Sequence, residues 1–284
     1  MITVDSKTKV AGVIGWPIDH SLSPKLHNFI AEEMGHNMVY TAMPVKPEVV
    51  DKAIEGVRAL GIAGINATAP HKFDALRLVD EVDKDAQIYG SVNTVVNRNG
   101  KLKGYSTDGP GLALAMKRSS IEIENKNVLI YGAGGVAGPV CVMLASEKVG
   151  SITVINRTLS RAFTLKEFVK NACGFEIEVS ENWTREHYDI IINCTSMGML
   201  HNREECPMSD FSKVDSTTTA VDLIYNPPKT KFLKLAEEKG AKIMNGLGML
   251  VYQGVIAYEK IMDCTLPEDM GEKVINMLEK EFSD

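Results

Sequence analysis

Apolar residues in this chain come in short runs separated by amphipathic stretches, and the alternation continues almost from end to end. VAGVIG (10–15) reads as a strand, and a helix follows from about Pro24, since proline suits a first helical turn. Residues 38–45 predict a second strand. Residues 47–60 predict a helix with Val49, Val50, Ala53, Ile54, Val57 and Leu60 on one stripe. AGINA (63–67) predicts a third strand, and VNTVVNRNGKLKGY (92–105) a hairpin turning at Arg98-Asn99-Gly100.

A second series begins at NVLIYG (127–132) and continues through SITVIN (151–156), EIEVS (176–180), DIIINCT (189–195) and TAVDLIY (219–225). Short apolar, β-rich runs separated by helices predict a parallel sheet covered on both faces. After Gly246 the pattern is helical, from 247 to about 262 and from 270 to 282, and offers no third sheet for these helices to cover. They are therefore expected to return to the first domain.

Composition narrows the class. A chain of 284 residues is long enough for a large core and for two domains. Lysine and arginine number 31 against 37 acidic residues, a net charge of −6 with the signs interspersed. That balance argues against a nucleic-acid or anionic-membrane surface. No apolar run approaches the ~20 residues needed to span a bilayer, and MITVDSKTKV lacks the apolar centre of a secretion signal. Five scattered cysteines without a C-x-x-C pair argue against a disulfide framework or zinc site and fit a reducing cytoplasm. His20, His27, His71 and His201 form no metal-ligating pair, so no metal is expected.

YGAGGVAG (131–138) follows a strand and opens a helix, so Gly132, Gly134 and Ala137 fit a dinucleotide turn of the G-x-G-x-x-G/A type. The first glycine permits the tight turn, the second lets backbone approach a pyrophosphate, and the small third residue lets the helix close on the strand. An NAD site carries an acid ~20 residues further on. Here SITVIN ends instead in Asn156-Arg157-Thr158, with Arg161 four residues beyond Arg157. Guanidinium forks suit a 2′-phosphate, and cations at a helix start oppose its dipole unless an anion is bound. NADP is the expected cofactor, against the plainer reading of a solvated helix start.

GINATAPHK (64–72) ends a strand with an amide, a hydroxyl, a proline and the ammonium of Lys72. Taken alone, that lysine reads more readily as a surface charge than as a catalyst. Several separated segments, in order, change the balance. GWPIDHSLSPKLHN (15–28), INATAPHK, GSVNTV (90–95), GYSTDGPG (104–111), GAGGVAG, NRTLSRA (156–162), NCTSMGM, VDLIYNPPKT and NGLGMLVYQ (245–253) together resemble the motifs of the shikimate dehydrogenase family over nearly the whole chain.

The resemblance implies an α/β fold: an N-terminal substrate domain (1–107), a Rossmann-type doubly wound NADP-binding domain (108–245), and C-terminal helices (246–284) returning to the first. It implies NADP-linked interconversion of shikimate and 3-dehydroshikimate in aromatic amino-acid biosynthesis, in a cytoplasmic monomer or homodimer, with substrate in the cleft between the domains. Lys72 and Asp108 would be catalytic. Ser21, Ser23, Asn66, Thr68, Asn93, Asp108 and Gln253 would bond substrate, with Tyr225 nearby. Gly132, Ala133, Gly134, Gly135, Val136, Asn156, Arg157, Thr158, Leu159, Ser160, Arg161, Leu223 and Gly246 would line the cofactor. The chain departs from the family pattern at Ser106, where asparagine is usual, and at Ala67 and Ala69, which replace bulkier apolar residues beside Thr68.

The residue types suit that chemistry. Three hydroxyls and a carboxylate call for many short polar side chains, which Ser21, Ser23, Asn66, Thr68, Asn93 and Gln253 supply. Ser21 and Ser23 also read as helix caps before Pro24, and one can cap while the other binds. A lysine is protonated at neutral pH and can give a proton to a forming alkoxide; oxidation needs it neutral, which predicts an alkaline optimum in that direction. His71, the cysteine of NCTSMGM and methionines such as Met197, Met199 and Met249 read as packing residues. Neighbouring readings are a quinate/shikimate dehydrogenase using NAD or NADP, a relative acting on an aminated analogue, and a catalytically silent NADP-binding sensor. Retention of both Lys72 and Asp108 speaks against the last.

Overall fold

A computed structural model of the chain describes residues 4–281, so residues 1–3 of MITVDSKTKV and residue 282 of the expected last helix lie outside the described residues. The chain forms two compact units, Met1–Gly111 with Val251–Asp284, and Leu112–Leu250.

The first unit begins with β1 (Lys9–Gly15), α1 (Ser23–Glu33), β2 (Met38–Pro44), α2 (Val50–Ala59), β3 (Gly64–Ala67) and α3 (Lys72–Leu78). It continues with β4 (Glu81–Val82), α4 (Lys84–Tyr89), β5 (Thr94–Arg98), β6 (Lys101–Tyr105) and the start of α5 (Asp108–Arg118). The six strands lie in the order β2-β1-β3-β5-β6-β4. β1 pairs in parallel with β2 and β3, whereas β5 runs antiparallel to both β3 and β6. The hairpin expected at residues 92–105 is therefore present, and Asn99 and Gly100 turn it with positive φ. A core of Ile14, Ile54, Ile65, Val92, Val95 and Leu102 lies under this sheet.

Two expectations at helix starts are corrected. The predicted 47–60 helix opens with a 3₁₀ turn at Pro47–Val49 before α2. Neither Ser21 nor Ser23 is the N-cap of α1: that position is Leu22, without a side-chain cap, and Ser21 Oγ instead accepts the Ser23 N–H at 3.3 Å. One residue of register separates the two arrangements, and proline tolerates either of the first two helical positions because neither N–H has an intrahelical partner.

The second unit holds β7 (Asn127–Tyr131), α6 (Ala137–Ser146), β8 (Ser151–Ile155), α7 (Leu159–Cys173), β9 (Glu178–Ser180) and β10 (Ile190–Asn193). Then come β11 (Thr219–Asp222), α8 (Lys231–Glu238) and β12 (Lys242–Met244). α9 (Leu247–Met262) begins in this unit, and α10 (Met270–Lys280) belongs to the first, where it packs on α1. The sheet is wholly parallel in the order β12-β11-β10-β7-β8-β9. β8 and β9 extend from one side of β7, and β10 to β12 from the other, so the winding reverses between β7 and β10. Ligands of such sheets bind beyond the carboxyl ends of the strands at that reversal. Burial on both faces explains the unbroken apolar strands: every residue of Ile190–Asn193 is buried.

In the first unit, His27 of α1 is buried with its ring stacked on Tyr40 at 4.0 Å, and neither ring nitrogen has a hydrogen-bond partner. Burial without a partner disfavours the imidazolium and lowers its pKa from 6.5 to about 3. The unfolded chain therefore takes up this proton first. Stability contributed by neutral His27 is complete above 6.5 and is lost as the pH falls towards about 3. Urea unfolding across that range should show the wild type losing about 1.4 kcal/mol more per pH unit than His27→Phe. Parallel pH profiles for the two proteins would refute it.

Candidate active site

In the first unit the chain brings together residues far apart in sequence. Lys72 is the first residue of α3 and Asp108 the first of α5. Lys72 Nζ donates to Asp108 Oδ2 at 2.7 Å, with the lysine side chain 27% exposed and the aspartate 8%. An ammonium at a helix start opposes the helix dipole, and the carboxylate offsets it. The other carboxylate oxygen, Oδ1, accepts from Asn93 Nδ2 at 3.0 Å. Asn93 also donates to Thr107 Oγ1 at 2.9 Å and to Gln253 Oε1 at 3.3 Å, and its own oxygen accepts the Thr107 N–H at 2.8 Å. Asp108 is thus held at both oxygens, leaving the lysine as the part-exposed member of the pair.

Asn66 sits beside this cluster. Its amide donates to the Asn93 carbonyl at 3.1 Å and to Thr94 Oγ1 at 3.0 Å, while its oxygen accepts from the Tyr40 hydroxyl at 2.7 Å. Both of its N–H groups are committed within the protein, and one lone pair of its oxygen remains. Thr68 lies on the turn between β3 and α3, tied by its N–H to the Ile14 carbonyl and by its own carbonyl to the His71 N–H. His71 is fully buried, with Nε2 2.7 Å from the Val45 carbonyl oxygen. Ser21 and Ser23 stand at the entry to α1, with Ser21 half-buried and Ser23 buried. Tyr225 belongs to the second unit, where burial raises its phenol above the usual range. Ser106 makes no local turn bond: its buried hydroxyl has no protein partner. Sequence reasoning missed Thr94, Thr107 and Tyr40, although both threonines stand directly beside Asn93 and Asp108.

In the second unit the glycine turn lies at the winding reversal. Gly132 has φ +108°, and an added Cβ would stand 2.9 Å from Thr195 Cγ2 and 3.0 Å from the Cys194 carbonyl, so only glycine fits. Gly134 and Gly135 differ, since a Cβ on either would meet nothing within 4 Å. Their surface is open to a ligand. α6 begins behind them with Val136 as an uncapped N-cap; the Ala137 N–H bonds the Gly134 carbonyl and Pro139 has no N–H, so Gly138 is the first-turn residue whose N–H is left for an anion. Asn156 Oδ1 accepts the Ala133 N–H at 3.1 Å and its amide donates to the Thr158 carbonyl at 2.8 Å, pinning the glycine turn to the segment after β8. Arg157 and Arg161 are exposed and form no ion pair among the described residues. Leu159 and Ser160 open α7 between them. Leu223 follows β11, and a Cβ on Gly246 would overlap its carbonyl. Open glycines and unpaired arginines without a carboxylate after β8 fit a dinucleotide bearing a 2′-phosphate. Among the described residues, no three His, Cys, Asp or Glu side chains group as a metal site.

A doubly wound parallel sheet with an open glycine turn, in a chain that also carries a part-exposed lysine–aspartate pair, defines a dinucleotide-dependent oxidoreductase. The family signature of the shikimate dehydrogenase substrate binding domain matches residues 13–95, and that of shikimate / quinate 5-dehydrogenase matches residues 113–230. A shikimate dehydrogenase (NADP(+)) of Geobacillus is 45% identical over 256 residues, covering 89% of this chain and 92% of its own. The Methanocaldococcus jannaschii shikimate dehydrogenase (NADP(+)) is 42% identical over 261 residues, 90% of this chain and 92% of its own. A crystal structure of a shikimate dehydrogenase in complex with NADP+ superposes with a TM-score of 0.91 at 38% identity, covering 97% of each chain. The chain belongs to the shikimate dehydrogenase family.

If the Lys72–Asp108 pair holds the two helix starts together, Lys72→Met and Asp108→Asn should not add. A double-mutant cycle by urea unfolding should give a coupling of about 1–2 kcal/mol. Strict additivity would show that the pair carries no weight in the fold.

Proposed function

We propose that the chain catalyses reversible, NADP-dependent reduction of 3-dehydroshikimate to shikimate, with Lys72 as the proton donor and Asp108 as the group that orients it. The 2.7 Å contact between them, with Asp108 held from behind by Asn93, carries this reading. The bound dinucleotide supplies or accepts the hydride. Lys72 gives a proton to the carbonyl oxygen as it becomes an alkoxide, and in the reverse direction takes the proton from the hydroxyl. Asp108 fixes the direction in which the ammonium points, which is the positioning that makes transfer efficient.

Ser21, Ser23, Thr68, Gln253 and Tyr225 are proposed to bond the substrate hydroxyls and carboxylate. Asn66 contributes its remaining acceptor lone pair, and Asn93 acts chiefly through its hold on Asp108. On the cofactor side, Gly132, Ala133, Gly134, Gly135 and Val136 would cradle the pyrophosphate, with Asn156 keeping the turn in shape. Arg157, Thr158, Leu159, Ser160 and Arg161 would surround the 2′-phosphate, and Leu223 and Gly246 the nicotinamide half. Five free cysteines fit work in a reducing cytoplasm, as a monomer or homodimer.

Absorbance of the reduced nicotinamide, followed with shikimate, quinate or no acid and with either cofactor, tests the proposal. Turnover is expected with shikimate and NADP+. Lys72→Ala should lower kcat by about 10²–10⁴ with NADP+ binding kept. Replacing Arg157 and Arg161 by alanine should raise the KM for NADP+ by at least about tenfold, since a charge-assisted bond contributes roughly 1.5–3 kcal/mol, and leave NAD+ kinetics unmoved. Cofactor binding without turnover on either acid would sink the catalytic reading, and faster turnover of quinate would replace the substrate.

A further inference from the structure

The second unit buries a carboxylate that the proposed chemistry does not use. Asp222, the last residue of β11, is fully buried and forms no ion pair among the described residues. Three donors converge on it: Thr230 Oγ1 at 2.6 Å, Asn193 Nδ2 at 3.0 Å and the Ile224 N–H at 3.0 Å. A group that only accepts here is a carboxylate. Its burial raises its pKa from the ordinary aspartate value, so keeping it charged has a cost.

The bonds around Asp222 tie two loops together at the carboxyl edge of the sheet. Asn193 ends β10, and its oxygen accepts both the N–H and the hydroxyl of Thr195, at 3.0 Å and 2.7 Å. Thr195 is the residue packed against Gly132 of the glycine turn. On the other side, Asp222 holds the Ile224 N–H, the Ile224 carbonyl accepts the Gly246 N–H at 3.0 Å, and Gly246 lies against Leu223. A continuous path therefore runs from the glycine turn through Thr195, Asn193 and Asp222 to Leu223 and Gly246. The arginines follow β8 on one side of β7, whereas these loops follow β10 and β11 on the other. A dinucleotide lying across the reversal with its 2′-phosphate on the β8 side has its nicotinamide half on theirs.

We propose that Asp222 is a positioning residue for the nicotinamide half of the cofactor, its carboxylate locking the loop after β10 to the loop after β11. This rests on the dinucleotide reading given above. Thr230 shares the role as the donor that closes the lock, besides its part as N-cap of α8, where its hydroxyl accepts the Leu233 N–H.

Two probes separate this from a merely structural part. NADPH spans both halves of the site, while adenosine 2′,5′-bisphosphate occupies only the arginine side. Dissociation constants would be measured for both on wild type, Asp222→Asn, Thr230→Val and Thr230→Ser. The lock predicts that Asp222→Asn and Thr230→Val weaken NADPH by about tenfold, the scale of one buried hydrogen bond. The bisphosphate should bind all four proteins alike, and Thr230→Ser, which keeps the hydroxyl, should bind NADPH as the wild type does. If Asp222→Asn does not fold, the Thr230 pair makes the same comparison. Equal weakening of both probes, or NADPH binding unchanged in a folded variant, overturns the lock alone. A wild type that binds neither probe overturns the dinucleotide reading and the lock with it.

Discussion

Polar groups buried at the ends of strands must find partners inside the protein, because each one left without a partner costs on the order of 1–3 kcal/mol. Both units meet this constraint with asparagine, whose amide donates twice and accepts twice. Asn66 and Asn93 bind one another's surroundings at the ends of β3 and β5. Asn97 bonds the Val57 carbonyl and the Gly100 N–H, fixing the hairpin turn to α2. Asn156 and Asn193 do the same work after β8 and β10. The loops that carry the candidate site therefore start from anchored ends.

Each unit also uses one asparagine to hold a buried aspartate, but the two aspartates differ in what else reaches them. Asp108 meets an ammonium at a part-exposed edge, so its charge is matched and its partner remains reachable. Asp222 meets only neutral donors and lies wholly inside. A matched pair at an edge suits proton transfer. An unmatched carboxylate with three converging donors suits rigidity, since moving any donor would strand a charge in an apolar interior.

The architecture was largely legible along the chain. Period and turn chemistry located β1, β2, β3, the hairpin and the parallel series from β7 to β11, because long apolar or alternating runs reflect burial directly. β4 and β12 were not anticipated: Glu81–Val82 and Lys242–Met244 are too short for any periodicity, and pairing with β6 and β11 makes them strands. Site legibility was uneven in the same way. Residue type marked out Lys72, Asp108 and the glycine turn, whereas Thr107, Thr94 and Tyr40 are ordinary residues until the fold turns them towards Asn93 and Asn66.

The amino-acid order by itself determined the two α/β series, the glycine turn and the cations after β8, since these depend on neighbours within a few residues. Only the tertiary structure decided what each polar side chain bonds. Lys72 and Asp108 are 36 residues apart, and Asn93 and Gln253 are 160 apart. The same amide can bind a ligand or a loop, and the choice turns on which groups the packed strands bring within about 3 Å, the reach of a hydrogen bond. Asn93, a residue type suited to bonding substrate, also holds Asp108, and Asp222, unmarked by its sequence neighbours, joins two loops. Hydrogen bonding is short-ranged and packing is not, so the partners appear only when the chain has closed on itself.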